Sequence, residues 1–337
     1  MKDFAERNEP MNSTMRAAVL DAPGPVTNFH IRDLPVPEPK PGWVRIEVKA
    51  FGLNRSELLT RQGLSGDAVV FPRVLGIEAT GVVDEDPEGV FAPGQKVATM
   101  MGGMGRAYDG GYAEYVCVPS GQVIPFTSEL DWATLGAIPE MLQTAYGSLS
   151  IGLDARPGQS ILICGGTSSV GMAAAILAKR RGMTILSTTR QPLKEPSLKQ
   201  IGVNHVLIDQ GAVAEQVQAI FPGGVDTALE LVGASTLRDT LAATRMHGVV
   251  CFTGMLSGTW VVEDFYPIDY IPAGVRLTAY SGEASDLPAD VLQGFIDDVT
   301  AGKVIVPVDS VFALDDIRAA HTRMEAGEGT GKIVVLP

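Results

Sequence analysis

Cysteine is scarce in this chain, and Cys117, Cys164 and Cys251 lie far apart without CxxC spacing. An odd count with no paired spacing argues against a disulfide framework or a cysteine metal cluster. Each thiol falls in or at the end of an apolar strand-like run, so reduced, buried cysteines are expected. Histidine is also sparse. His30, His205, His247 and His321 are isolated, and none has the Ser, Cys or paired Asp neighbour of a catalytic triad. No apolar run reaches the ~18–20 residues of a membrane-spanning helix. The opening MKDFAERNEP lacks the basic-then-apolar order of a signal peptide. Basic residues are in the minority, 26 Lys and Arg against 39 Asp and Glu, for a net charge of −13. With its cations scattered, such a chain repels phosphate backbones. Neither nucleic acid nor a membrane is expected as a partner, and the expected location is cytoplasmic.

What is present is enough apolar material for large cores, 45% hydrophobic against 19% charged residues. A length of 337 residues predicts two domains, because single cores stop growing near ~250–300 residues. Residues 1–14 have no apolar periodicity and read as a flexible extension, with the first strand near Met15; a translation start at Met15 is equally compatible. From 15 to about 125 short strands are broken by Pro and Gly: MRAAVL, GWVRIEVKAFG, EATGVV, QKVATM and AEYVCV. Short helical patterns fall at 56–61 and 132–137, and 142–151 is amphipathic.

Between 160 and about 280 strands alternate with helices predicted at 170–181, 194–201, 213–220 and 236–244. That rhythm implies parallel strands with crossover helices, an open doubly wound α/β sheet. The remainder holds helices near 291–299 and 314–326 and a terminal strand, KIVVL. This piece is too small for a core of its own and should return to the first domain. The expected layout is a β-rich domain, 15–138 and 285–337, interrupted by a nucleotide-binding domain, 139–284.

The turn after the first parallel strand reads CGGTSSVG. Gly165, Gly166 and Gly171 leave room for a pyrophosphate to approach the backbone of Thr167, Ser168, Ser169 and Val170, where free N–H groups and the helix dipole stabilise its charge. About twenty residues further on, a cofactor lacking a 2′-phosphate usually meets an Asp or Glu. Here Thr188, Thr189 and Arg190 stand at that place, with Lys194 a turn beyond. Arg offers paired donors to a phosphate and Lys a point charge, so NADPH is expected rather than NADH.

With these residues in place, the chain from 15 to 337 resembles the medium-chain dehydrogenase/reductase superfamily, in its zinc-free quinone oxidoreductase branch. The resemblance rests on an ordered set of segments: GWVRIEVKAFGLNRSEL, VLGIEATGVV, FAPGQKVATM, DGGYAEYVCVP, CGGTSSVG and GKIVVL. It implies a GroES-like catalytic domain, a Rossmann domain and a cofactor in the cleft between them. Zinc-dependent members carry a Cys ligand in GxC[HR][TS][DE] and a His ligand in GHE. The matching strings here are Gly52-Leu53-Asn54-Arg55-Ser56-Glu57 and Gly76-Ile77-Glu78, so Asn54 and Ile77 replace the two ligands. An amide is a poor zinc ligand and Ile is none. MMGGMGRAYDGGY, which matches the structural zinc loop, contains no cysteine. No metal is expected.

The resemblance also suggests roles. Asn54 either donates its amide to the acceptor oxygen or satisfies loop carbonyls. Glu78 reads as half of a structural salt bridge, or as a contact to Arg or backbone. Gln143 and Thr144 match positions facing the nicotinamide, or pack the helix. Thr253, Gly254 and Leu256 match the segment along the nicotinamide, or form a plain strand exit. Lys332, in the closing segment, is placed with the cofactor-binding residues. Tyr112 reads as core.

Without a Lewis acid, a conjugated acceptor is easier to reduce than a ketone, because charge delocalises onto oxygen where hydrogen-bond donors stabilise it. The expected activity is NADPH-dependent hydride transfer to a quinone or other α,β-unsaturated carbonyl. Enoyl-thioester or ketone reduction is the alternative, and non-catalytic NADPH binding the alternative of another class. Two departures matter. The loop 60–73 lacks the Tyr common in thioester-reducing relatives, and Asp209-Gln210 stands where many relatives place a Tyr on the 2′-phosphate. The apolar GVRLTAY resembles the strand through which such subunits pair edge to edge, so a homodimer is expected.

Overall fold

The computed structural model describes residues 14–337. The expected extension lies outside the described residues apart from Thr14, which already belongs to the first strand and pairs with Pro35.

In the strand Trp43–Gly52, Val44, Ile46, Val48 and Ala50 are buried at alternate positions, as a pleated strand on a core requires. It lies inside a seven-stranded sheet, between Lys332–Leu336 and Glu78–Glu85, and also pairs with Tyr115–Pro119. Lys332–Leu336 runs antiparallel to it, with Val334 opposite Gly52 and Val335 opposite Phe51. The end of the chain is thereby joined to the loop that starts the helix Arg55–Arg61. Phe29–Pro35, Val123–Pro125 and Val308–Ala313 are further strands with no counterpart in the sequence reading.

The second sheet is parallel throughout, in the order His205–Ile208, Thr184–Thr189, Ser160–Cys164, Val225–Glu230, Thr244–Phe252, Arg276–Ala279. Its first strand in the chain, Ser160–Cys164, is buried at every position, as expected of a strand covered on both faces. Connections run to opposite sides of this strand, so the ends of Ser160–Cys164 and Val225–Glu230 flank a switch point, where doubly wound sheets bind ligands. Arg276–Ala279 is the sheet's edge.

The linking helix runs over Pro139–Gly147 and continues as a wider turn over Ser148–Gly152, displaced from the expected 142–151. Pro139 favours the first turn, having no N–H to leave unsatisfied. Leu142 and Ala145 share one apolar cluster with Ala50 and Met100 of the β-rich sheet and Ile161 and Ile163 of the parallel sheet. The helix Ala289–Thr300 adds Leu292 and Phe295 to the same cluster, and its Asp298 meets Arg180 at 3.0 Å. No helix among the described residues is long and apolar enough to cross a membrane.

Candidate active site

A cleft of about 1040 Å³ opens at the carboxyl ends of the parallel strands, against the β-rich sheet. Gly165, Thr167, Ser168, Ser169, Val170, Thr189, Arg190, Thr253, Gly254 and Leu256 line one side, Asn54 lies on the other, and Thr144 of the linking helix also faces it. These are expected site residues that the fold brings together. Gln143, Gly166, Gly171, Lys194 and Lys332 are not on its wall.

The glycine-rich turn is shaped by its neighbours. Gly165 has φ +82°, the left-handed region that glycine adopts freely. A Cβ on Gly166 would lie 1.8 Å from Ser187 Oγ, so the turn sits directly on the next strand. The Gly166 N–H donates to the Thr188 carbonyl at 3.0 Å. Ser168 caps the helix Ser169–Arg180, accepting from the Gly171 N–H at 3.1 Å while its hydroxyl donates to the Gly165 carbonyl at 2.8 Å. Ser169 and Val170 come too early in the helix to donate within it, and both face the cleft. This backbone fits a dinucleotide pyrophosphate. The Gly331 N–H donates to the Thr167 carbonyl at 3.2 Å, so the C-terminal segment clasps the turn.

Arg190 is exposed on the cleft wall. Lys194 is half-buried, and its ammonium donates to the Gly329 carbonyl at 2.7 Å. Arg55, which the sequence reading passed over, also lines the cleft. Burial lowers its pKa; Glu325 opposes that effect and the nearby charge of Arg190 reinforces it. Arg55 and Arg190 thus converge as two cations.

Behind the β-rich wall lies a buried ionic cluster. Lys332 Nζ is 2.6 Å from Glu78 Oε1 and 3.0 Å from Glu140 Oε2, and it also donates to Asn54 Oδ1. Asn54 Nδ2 in turn donates to Glu78 Oε1 at 3.0 Å and Glu57 Oε1 at 3.3 Å. Two expectations change. Asn54 is committed through both ends of its amide to buried charges, so neither role expected of it, acceptor donor or loop-carbonyl partner, describes what it does. Lys332 is a cation of the β-rich interior rather than a cofactor contact. Glu78 does form a structural salt bridge, with Lys332 as partner.

Burial alone would lower the pKa of Lys332, but Glu78 and Glu140 outweigh it and keep the ammonium charged. Burial pushes Glu57 up to about 7, against the lowering effects of the Ile77 N–H and Lys332. Its Oε2 has no partner.

The linking helix closes the cleft floor. The Thr144 hydroxyl lies 3.0 Å from Glu140 Oε1 and 3.1 Å from Gln143 Oε1. Gln143 is fully buried, and its amide donates to the Tyr280 hydroxyl at 2.7 Å and the Glu283 carbonyl at 3.0 Å. Its packing reading is therefore the one the geometry matches. Tyr112 is buried too, stacked on Phe51 with its hydroxyl 3.2 Å from His321 Nε2. The three cysteines are free thiols.

Residues 40–128 match the alcohol dehydrogenase GroES-like domain, and 201–335 match the family described as zinc-binding dehydrogenase. The chain is 29% identical to a 2-haloacrylate reductase of Burkholderia sp, over 95% of this chain and 98% of that protein. It is 27% identical to the quinone oxidoreductase of Homo sapiens, over 96% and 98%. Among solved structures, AibC superposes with a TM-score of 0.86 at 25% identity, covering 100% of this chain and 99% of that one. An NAD-dependent alcohol dehydrogenase gives 0.85 at 26%, covering 96% and 100%. The nucleotide cradle, the β-rich partner sheet and these likenesses define an oxidoreductase of the medium-chain dehydrogenase/reductase superfamily. Within it the chain is similar to members of the quinone oxidoreductase-like branch.

Proposed function

We propose that this chain is an NADPH-dependent, metal-independent reductase that passes hydride to a quinone or another α,β-unsaturated carbonyl. The observation that carries the reading is the buried Lys332 ammonium bonded to Asn54, the residue standing where zinc-dependent relatives have a ligand. A cation already occupies that neighbourhood, and beside it Ile77 offers no donor. Among the described residues no group of three or more His, Cys, Asp or Glu is placed to hold a metal. The donor set does not fit zinc, despite the description of the matching family.

The glycine turn and the first turn of Ser169–Arg180 fit a pyrophosphate, and Arg190 with Arg55 fits the additional phosphate charge that distinguishes NADPH. The bound cofactor supplies the hydride. Thr144, Thr253, Gly254 and Leu256 border the space where an acceptor would stack, and their packing excludes water and fixes its approach. The names of the haloacrylate and quinone reductases support a conjugated acceptor. Reduced cysteines support a cytoplasmic setting, and the unpaired edge Arg276–Ala279 supports a homodimer.

The test is NADPH oxidation, followed at the nicotinamide absorbance, with a panel of quinones and enones after metal analysis and chelation. Turnover that survives chelation is expected. NADPH binding without turnover of any acceptor, or stoichiometric zinc whose removal abolishes activity, would overturn the reading.

A further inference from the structure

We infer that Arg106 selects acceptors that carry a carboxylate beside the conjugated double bond. The inference rests on the reductase reading above and names its substrate class.

Arg106 lies in the loop that leaves the strand Lys96–Met100 and lines the cleft. The loop is seated firmly. The Arg106 and Ala107 N–H groups donate to the Gly103 carbonyl at 3.1 and 2.8 Å. A Cβ on Gly110 would lie 2.2 Å from the Gly76 carbonyl oxygen, and one on Gly105 2.8 Å from the Gly76 nitrogen, so the loop backbone rests directly on the segment before Ile77. The base of Arg106 is therefore fixed although its side chain is exposed.

Its guanidinium has a hydroxyl for a partner, Ser56 Oγ, and among the described residues no carboxylate within ion-pair distance. Other arginines of the β-rich domain contrast with it: Arg73 pairs with Asp109 at 2.9 Å, Arg61 with Glu325 at 2.7 Å and Arg323 with Asp309 at 2.6 Å. In a chain of net charge −13, a cleft arginine without an acid among the described residues is available for an anion. Glu140, an acid on the cleft wall, is committed to Lys332 and Thr144.

Arg106 is also distinct from the phosphate side. Successive residues of a helix point about 100° apart. Arg55 turns towards Arg190 and Glu325, whereas its neighbour Ser56 holds Arg106. The same cleft is lined by Leu59, Leu64, Ile77 and Met101, with Ser56 and Ser65 among them. Apolar side chains and a guanidinium in one cleft suit a small unsaturated acid, whose carboxylate accepts paired N–H donors.

Chemistry gives that guanidinium a second use. Hydride from NADPH forms the C–H bond at the β-carbon as the C=C π bond breaks, and its electron pair moves onto the carboxylate. A proton from water then forms the α C–H bond, giving NADP⁺ and the saturated acid. Charge rises on a group that is already anionic, and a fixed cation offsets it.

The experiment compares 2-chloroacrylate with its methyl ester in the wild type, Arg106→Met and Arg106→Lys, each loaded with NADPH, at low and high salt. The expected result is a wild-type preference for the acid, a loss of about tenfold to a hundredfold in kcat/KM for the acid in Arg106→Met and a far smaller change for the ester. Arg106→Lys recovers part of the loss, and the acid's KM rises with salt. Equal effects on acid and ester, or a wild type that prefers the ester, overturn the inference while leaving the reductase reading intact. NADPH oxidation by neither probe nor by any quinone overturns both.

Discussion

Lys332 Nζ lies 2.6 Å from Glu78 Oε1, and both side chains are fully buried. The pair joins the last strand of the chain to the strand that follows the replaced metal position. Breaking a buried pair by removing one member costs about 3–5 kcal/mol, because the other charge is left uncompensated. Lys332→Met should lower stability by that order in urea unfolding of the cofactor-free chain. Adding Glu78→Gln should restore part of it, and strict additivity of the two substitutions would show that they are not coupled.

Glu57 sets a pH dependence. Its pKa is raised from 4.5 to about 7, so the folded chain holds this proton more tightly than the unfolded chain does. The associated stability is complete below the unfolded value and is lost as pH rises through the folded one. Over that window the loss amounts to about 3 kcal/mol. Glu57→Gln keeps an oxygen for the Ile77 N–H and removes the titration. Its stability relative to the wild type should climb from pH 4.5 to about 7 and then level off. A difference that is flat with pH in urea titrations would show Glu57 ionised throughout.

Arg190 should decide the cofactor. Arg190→Ala is expected to raise KM for NADPH by about tenfold to a hundredfold, the worth of a charge-assisted contact, with little change for NADH. Initial rates with both cofactors give the ratio. An unchanged ratio would place the selection elsewhere, in Arg55 before Lys194, whose ammonium is taken by the Gly329 carbonyl.

The strand Arg276–Ala279 pairs with Thr244–Phe252 on one side, and among the described residues no second strand pairs with its other edge. Sedimentation at micromolar concentration should return the mass of two chains, since an open edge invites a second copy. A monomer at that concentration would show the edge protected by other means.

The central strands of the parallel sheet were legible because they are apolar runs, and burial on both faces demands that pattern. Phe29–Pro35 was not, because only Phe29 of that strand is buried and no alternation marks it. The glycine turn and Arg190 could be placed on the cleft from local spacing alone. The role of Asn54 could not, because it depends on Lys332, a partner 278 residues away that arrives only through the register of the final strand. Arg55 and Arg106 were missed for a related reason: a single arginine carries no pattern in sequence, and only the folded walls show which charges lack an acid.

The chain crosses between the β-rich and parallel sheets at the helix Pro139–Gly147 and again after Arg276–Ala279, and Gln143 bonds to Tyr280 and Glu283 across those passages. Two crossings laced side by side would form a single axle for any swing of one sheet against the other, and the cleft would then widen most at the mouth farthest from Gln143. The end of the cleft beside Thr144 would then keep nearly constant dimensions while cofactor and acceptor come and go.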